Sequence, residues 1–226
     1  MIALTLNCAS VAADVDRATL ENNIISITVQ ENRVVRQASG VVIQADLYNG
    51  YVLTTDLSLE NAETLSVVVP MTGAQLIGQI VHTDVSRGLA LLKVNGLQLQ
   101  PMRFSQSSPK PGDAVWSAAR SEGRVVLSRG NLRSAYGEAG SEGGISLAHS
   151  AILGEGSVSS ILLYDCGEMI GLSAPTVRIG SIQQAIPTDS IRRFLSNHGV
   201  NLLSSEKACI SLVRQAKNKA EQATRA

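Results

Sequence analysis

Apolar residues in this chain come in short runs, not in long helical stripes. Ile24–Gln30, Gly40–Gln44, Tyr51–Thr55, Leu65–Val69, Leu76–Val81 and Leu89–Val94 are rich in Val, Ile and Leu, with turn signals between them at Asn49-Gly50, Met71-Thr72-Gly73 and Asn95-Gly96. Short strands at that spacing predict an all-β sandwich or barrel, and no helix is expected in this half. The polar, proline-bearing stretch Ser105–Asp113 reads as a linker. The texture then repeats in Ala114–Ala119, Val125–Leu127, Asn131–Ser134, Ile145–Ala148, Ser160–Leu163, Met169–Ser173 and Ile179–Ala185.

The end of the chain changes character. Pro187-Thr188-Asp189 leads into a short helix, Ser190–His198, which Gly199 closes. From Ser204 or Ser205 onward, Cys209, Leu212, Val213, Ala216, Ala220 and Ala223 fall on one face of a second helix. Leu212, Val213, Ala216 and Ala220 form a candidate partner-binding face, although a stripe of this kind also serves to cover its own domain.

Composition narrows the function classes. Hydrophobic residues at 44% and charged residues at 17% suit a well-packed globular chain. With 3% aromatic residues and 19 basic against 19 acidic ones, neither a base-stacking platform nor a general pull toward phosphate is available, so nucleic acid is not an expected partner. No apolar run reaches a membrane-spanning length. Residues 1–13 are uncharged and apolar, with Val11 and Ala13 placed like the −3 and −1 residues of a secretory signal, so a periplasmic or secreted protein is expected. An ordinary N-terminal strand or frayed tail is the alternative. Removal of such a signal with its Cys8 leaves Cys166 and Cys209, which either bridge in an oxidising compartment or stay as two thiols. No Cys/His cluster has metal-ligand spacing, and no cofactor is expected.

Six segments, in order, resemble the bacterial HtrA/DegP-like branch of the trypsin-like serine proteases: Ser39-Gly40-Val41-Val42-Ile43, Gly50-Tyr51-Val52-Leu53-Thr54, Leu89–Val94, Pro111-Gly112-Asp113-Ala114-Val115, Cys166–Leu172 and Ala185-Ile186-Pro187. The resemblance covers roughly residues 22–199. It implies two six-stranded antiparallel β-barrels with C-terminal helices: a first barrel in residues 20–104, a linker at 105–113, a second barrel in 114–187 and a helical extension in 188–226. With 27 residues after Gly199, the family's PDZ domain is expected to be missing.

The departures bear on function. Where the family carries its general-base histidine this chain has Leu57, in Thr55-Asp56-Leu57-Ser58. The orienting aspartate is replaced by Gly88, and the nucleophile loop Gly156-Ser157-Val158-Ser159-Ser160 puts Val158 where the serine belongs. Nucleophilic acyl transfer needs a hydroxyl, a base beside it and a group that fixes the base. The resemblance therefore implies a pseudoprotease. Its former oxyanion loop at Gly156 and Ser157 is also in doubt, because serines at 159 and 160 enter unusual backbone angles less readily than glycines. The expected partners are other proteins, as extended peptides or complex subunits. Two other readings stand beside this one: a divergent hydrolase using Ser157 or Ser159, with a relocated Ser157/His149 dyad as one form, and a regulator of an active homologous protease. His149, Asp56 and Asp84 are otherwise expected to be exposed polar groups.

Overall fold

The computed structural model describes residues 15–31, 34–59, 62–136, 146–154, 159–179, 182–204 and 222. Twelve described strands form two closed barrels. The first contains β1 (Ile24–Glu31), β2 (Val34–Ala45), β3 (Asn49–Thr55), β4 (Thr64–Val68), β5 (Gln75–Asp84) and β6 (Leu89–Asn95). The second contains β7 (Ala114–Ser121), β8 (Arg124–Tyr136), β9 (Ser146–His149), β10 (Ser160–Leu163), β11 (Met169–Ile179) and β12 (Ile182–Pro187). Every strand-to-strand pairing within the barrels is antiparallel, and the two barrels share one topology: β1-β2-β3-β6-β5-β4 in the first is matched by β7-β8-β9-β12-β11-β10 in the second. The expected double barrel is therefore the observed fold.

Three apolar clusters explain why the strands read as unbroken runs. Alternate side chains on a strand point to opposite faces. Val42, Val52 and Leu92 fill the first barrel, while their neighbours Val41, Leu53 and Leu91 join the core between the barrels. On β10, Leu162 faces the second barrel's interior and Ile161 and Leu163 face the seam. Both faces are buried, so neither can be polar.

Four local expectations need correction. A helix the apolar pattern does not predict, α1 (Arg17–Asn23), precedes β1. It has seven residues and buries only Leu20 and Asn23, too little to register a helical period. Asp16 caps it, accepting from the Ala18 amide at 3.1 Å and the Thr19 hydroxyl at 2.6 Å. The separate runs at Val125–Leu127 and Asn131–Ser134 are one strand, β8, bent by a register shift between Leu132 and Ser134. The run Ile179–Ala185 is divided between the end of β11 and β12. Finally, Asn49-Gly50 is already paired strand, because the Asp46 carboxylate builds the turn just before it, accepting from the amides of Tyr48 and Asn49 at 2.7 and 2.8 Å.

The closing helix, α2 (Thr188–Ser196), packs Ile191, Phe194 and Leu195 into the inter-barrel core, against β11 and β12. Gly199 ends it as expected, with φ +71° and the Val200 amide donating to the Leu195 carbonyl at 3.1 Å. The second C-terminal helix, with Leu212, Val213, Ala216 and Ala220, lies outside the described residues, as does Cys209. Cys166 is disulfide-bonded, with its partner outside the described residues.

Candidate functional site

The seam between the barrels is held by polar groups as well as by its core. Arg120 on β7 is the main clamp: its side chain is 5% exposed and ion-pairs with Glu21 of α1 at 2.8 Å. It also donates to the carbonyls of Ile24 at 2.7 Å, Gly123 at 2.8 Å and Glu21. Its backbone bonds with the Ser39 hydroxyl of β2 in both directions, at 2.8 and 3.3 Å. This fixes β2, and with it β3, against the second barrel.

At the end of β3 the chain enters a one-turn 3-10 helix, Asp56–Leu59, which carries Leu57. The Asp56 amide donates to the Gly88 carbonyl at 3.2 Å, so positions 57 and 88 come from adjacent backbone. Gly88 closes the β5–β6 turn at φ +72°, and a side chain built there would begin 3.5 Å from the Asp56 carboxylate and 3.6 Å from Ile186. Asp56 is thus half-buried against Gly88, not the open surface carboxylate expected. Asp84 is also half-buried and tied into its turn, accepting from the Ser86 hydroxyl at 2.7 Å and the Arg87 amide at 3.0 Å and pairing with the Arg87 guanidinium. Its carboxyl is held below the usual range by those bonds, against the opposing effect of burial.

Ser159, just before β10, meets this corner from the other barrel. Gly156, Ser157 and Val158 lie outside the described residues. Ser159 is described and completely buried, and it takes φ +60°. The left-handed angle is thus present at Ser159 without a glycine, at the strain cost an L-residue carries there. The Ser159 Oγ hydrogen-bonds to Thr55 Oγ1 and accepts from Thr54 Oγ1 at 3.3 Å, while Thr54 also donates to the Ser39 carbonyl at 2.8 Å. Beside it, the Ser117 hydroxyl donates to Ser160 at 2.9 Å. Sequence reasoning missed this hydroxyl cluster. Its only signal was two adjacent threonines ending an apolar strand.

Among the described residues, no histidine or carboxylate is hydrogen-bonded to Ser159. His149 is fully buried, correcting its expected exposure, and its Nε2 lies 3.0 Å from the Ser173 hydroxyl. Burial pushes its pKa down to about 4. Its strand, β9, is opposite β10 in the six-stranded barrel. His82 stacks on His198, with ring centroids 3.6 Å apart, and burial followed by the neighbouring imidazole lowers its pKa. A buried hydroxyl bonded only to other hydroxyls has no proton acceptor of the strength that acyl transfer requires.

Two closed barrels sharing one topology, joined at a seam where a β3 corner meets the loop before β10, define the trypsin-like double-barrel class. A model of the trypsin-like peptidase domain matches residues 38–172, and the chain belongs to that family. Among solved structures, the fold is similar to the active form of the Rv3671c protease from M. tuberculosis, at 18% identity and a TM-score of 0.69, covering 87% of this chain and 91% of that one. It is also similar to the serine endoprotease from Yersinia pestis, at 19% identity and a TM-score of 0.65, covering 79% of this chain and 64% of that one. No curated protein sequence matches the chain.

Proposed function

We propose that this chain is a non-catalytic trypsin-fold pseudoprotease serving as a structural or protein-binding module, a subunit of a complex in a bacterial envelope. The observation that carries the reading is the corner itself. Ser159 is sealed under two threonine hydroxyls with no base bonded to it, while Leu57 and Gly88 occupy the places where the resemblance puts base and orienting acid. The disulfide at Cys166 supports an oxidising compartment, hence a periplasmic or secreted location.

Closed barrels leave few edges for strand addition. The best candidate is the bulge in β11, where Ala174–Val177 stand against Gln184 alone between the pairs Ser173↔Ala185 and Arg178↔Gln183. An extended peptide segment of a partner would add its backbone there. An active-site-directed fluorophosphonate tests the main reading. No stoichiometric serine labelling is expected, and labelling that Ser157→Ala abolishes would establish a divergent hydrolase instead.

A further inference from the structure

Two imidazoles meet where the first barrel touches the closing helix. His82 lies on β5 and His198 follows α2, one residue before Gly199, and their rings stack with centroids 3.6 Å apart and planes 16° from parallel. Phe194 of α2 meets His198 edge-to-face, with centroids 5.1 Å apart. The register of β5 shifts between the pairs Ile80↔Leu92 and His82↔Leu91, and Val81 between them packs on the inter-barrel core that also holds Phe194. The stack therefore sits at the rim of that core, with His82 half-buried and His198 exposed, where solvent protons reach it.

Such a pair can hold one proton but not two. An imidazolium over the face of a neutral ring is a favourable cation–π arrangement, whereas two unit charges about 4 Å apart repel. Among the described residues neither imidazole ion-pairs with a carboxylate that would offset the second charge. On β5 itself, Asp84 is bound to Arg87 and to the Ser86 hydroxyl. Lys93 of the adjacent β6 stands opposite Gln79. On α2, Arg193 lies in the last turn, Arg192 donates to Ser204 and to the Ser105 carbonyl, and Asp189 lies in the first turn, at the far end from His198. Of these groups only Asp84 and Asp189 are acidic, one already paired and the other distant. Burial, then the neighbouring imidazole, holds His82 below its ordinary value of 6.5. The unfolded chain thus takes up a proton that the folded pair resists, so the contact contributes fully above pH 6.5 and less as the pH falls below it.

We propose that the His82–His198 stack is an acid-released latch: it holds the end of α2 against β5 while at least one ring is neutral, and lets go when both are charged. The part released is the end of the helix and the short return that follows it, where the His198 and Val200 amides donate to the Leu195 carbonyl at 3.0 and 3.1 Å. The latch is independent of the pseudoprotease reading, since no residue of the hydroxyl corner takes part.

A double-mutant cycle on the full chain tests it, with His82→Ala, His198→Ala and the two together, unfolded in urea at pH 7.5 and at pH 5. Coupling of roughly 3–10-fold in the unfolding constant is expected at pH 7.5, and none, or the opposite sign, at pH 5. His149 is common to all four proteins, so its own titration cancels in the cycle. His82→Phe keeps a stacked ring that cannot take up a proton, and its coupling to His198 should persist at pH 5. Amide exchange, corrected for the intrinsic effect of pH, reads the release directly. His198 and Val200 should lose protection by about threefold or more at pH 5 relative to the amides of β10, and should keep it in His82→Phe. Absence of coupling at pH 7.5, equal coupling at both pH values, or release of the helix end by acid in His82→Phe as in the unmodified chain overturns the proposal.

Discussion

Ser159 makes a sharp test of the seam, because its backbone and its hydroxyl pull in opposite directions. At φ +60° an L-residue carries a left-handed strain of roughly 1–2 kcal/mol that glycine does not feel. Its buried hydroxyl, bonded to Thr54 and Thr55, contributes about 1–3 kcal/mol in return. Ser159→Ala removes the hydroxyl and keeps the strain, so it should destabilise by about 1–3 kcal/mol. Ser159→Gly removes both. Allowing for glycine's extra freedom in the unfolded chain, it should retain about 1 kcal/mol more stability than the alanine variant. For a domain of this size the gap between the two variants is roughly 2–4 °C in melting temperature. Urea unfolding can be followed through the single tryptophan, Trp116, which sits on β7 opposite Leu163 of β10 and donates to Asp165 at 2.9 Å. An alanine variant as stable as the glycine variant would refute the left-handed conformation and the geometry built on it.

Two further perturbations test the frame around that corner. His149 titrates near 6.5 in the unfolded chain but only near 4 when folded, so the unfolded state binds a proton that the folded state refuses. Its contribution is therefore complete above pH 6.5 and drains away as the pH falls to 4, a loss of about 3 kcal/mol. His149→Gln, which can keep a bond to Ser173, should flatten that part of the stability profile, and an unchanged slope between pH 7 and 4 would count against the buried neutral imidazole. Arg120→Met keeps the aliphatic stem and deletes the clamp on Glu21, Ile24 and Gly123, so a loss of about 3–5 kcal/mol in urea unfolding is expected. Arg120→Lys should not rescue it, because an ammonium cannot span the same divergent acceptors. A loss below about 1 kcal/mol would show that the seam is held by its apolar core alone.

The double barrel was legible because burial on both strand faces leaves a signal that local chemistry cannot mask. Val41 and Val42, or Leu91 and Leu92, must both be apolar when one fills a barrel and the other fills the seam. α1 was not legible, since two turns held by an Asp16 cap and an ion pair to Arg120 need almost no apolar pattern. The Asn49-Gly50 signal misled because Asp46, three residues earlier, offers the turn a better acceptor. At the candidate site, position could be read but contact could not. The sequence singled out Leu57 and Gly88 and the structure makes their backbones neighbours, yet the sealing of Ser159 by Thr54 and Thr55 depends on two barrels meeting, across separations of 105 and 104 residues.

The geometry of the corner also bears on the proposed loss of the triad. An aspartate at position 88 would have to adopt φ +72°, with its side chain starting 3.5 Å from the Asp56 carboxylate. If the carboxylate on that side chain came within about 4 Å of Asp56, the two would repel by roughly 1–4 kcal/mol, depending on how much water reaches them. An acid at 88 is therefore disfavoured beside an acid at 56 unless a cation stands between them, and position 57 is leucine. Conversely, with no acid at 88, the Asp56 carboxylate can occupy the space beside the glycine, and its amide ties the 3-10 turn to the Gly88 carbonyl at 3.2 Å. The glycine at 88 and the acid at 56 are thus one coupled feature of how the corner packs.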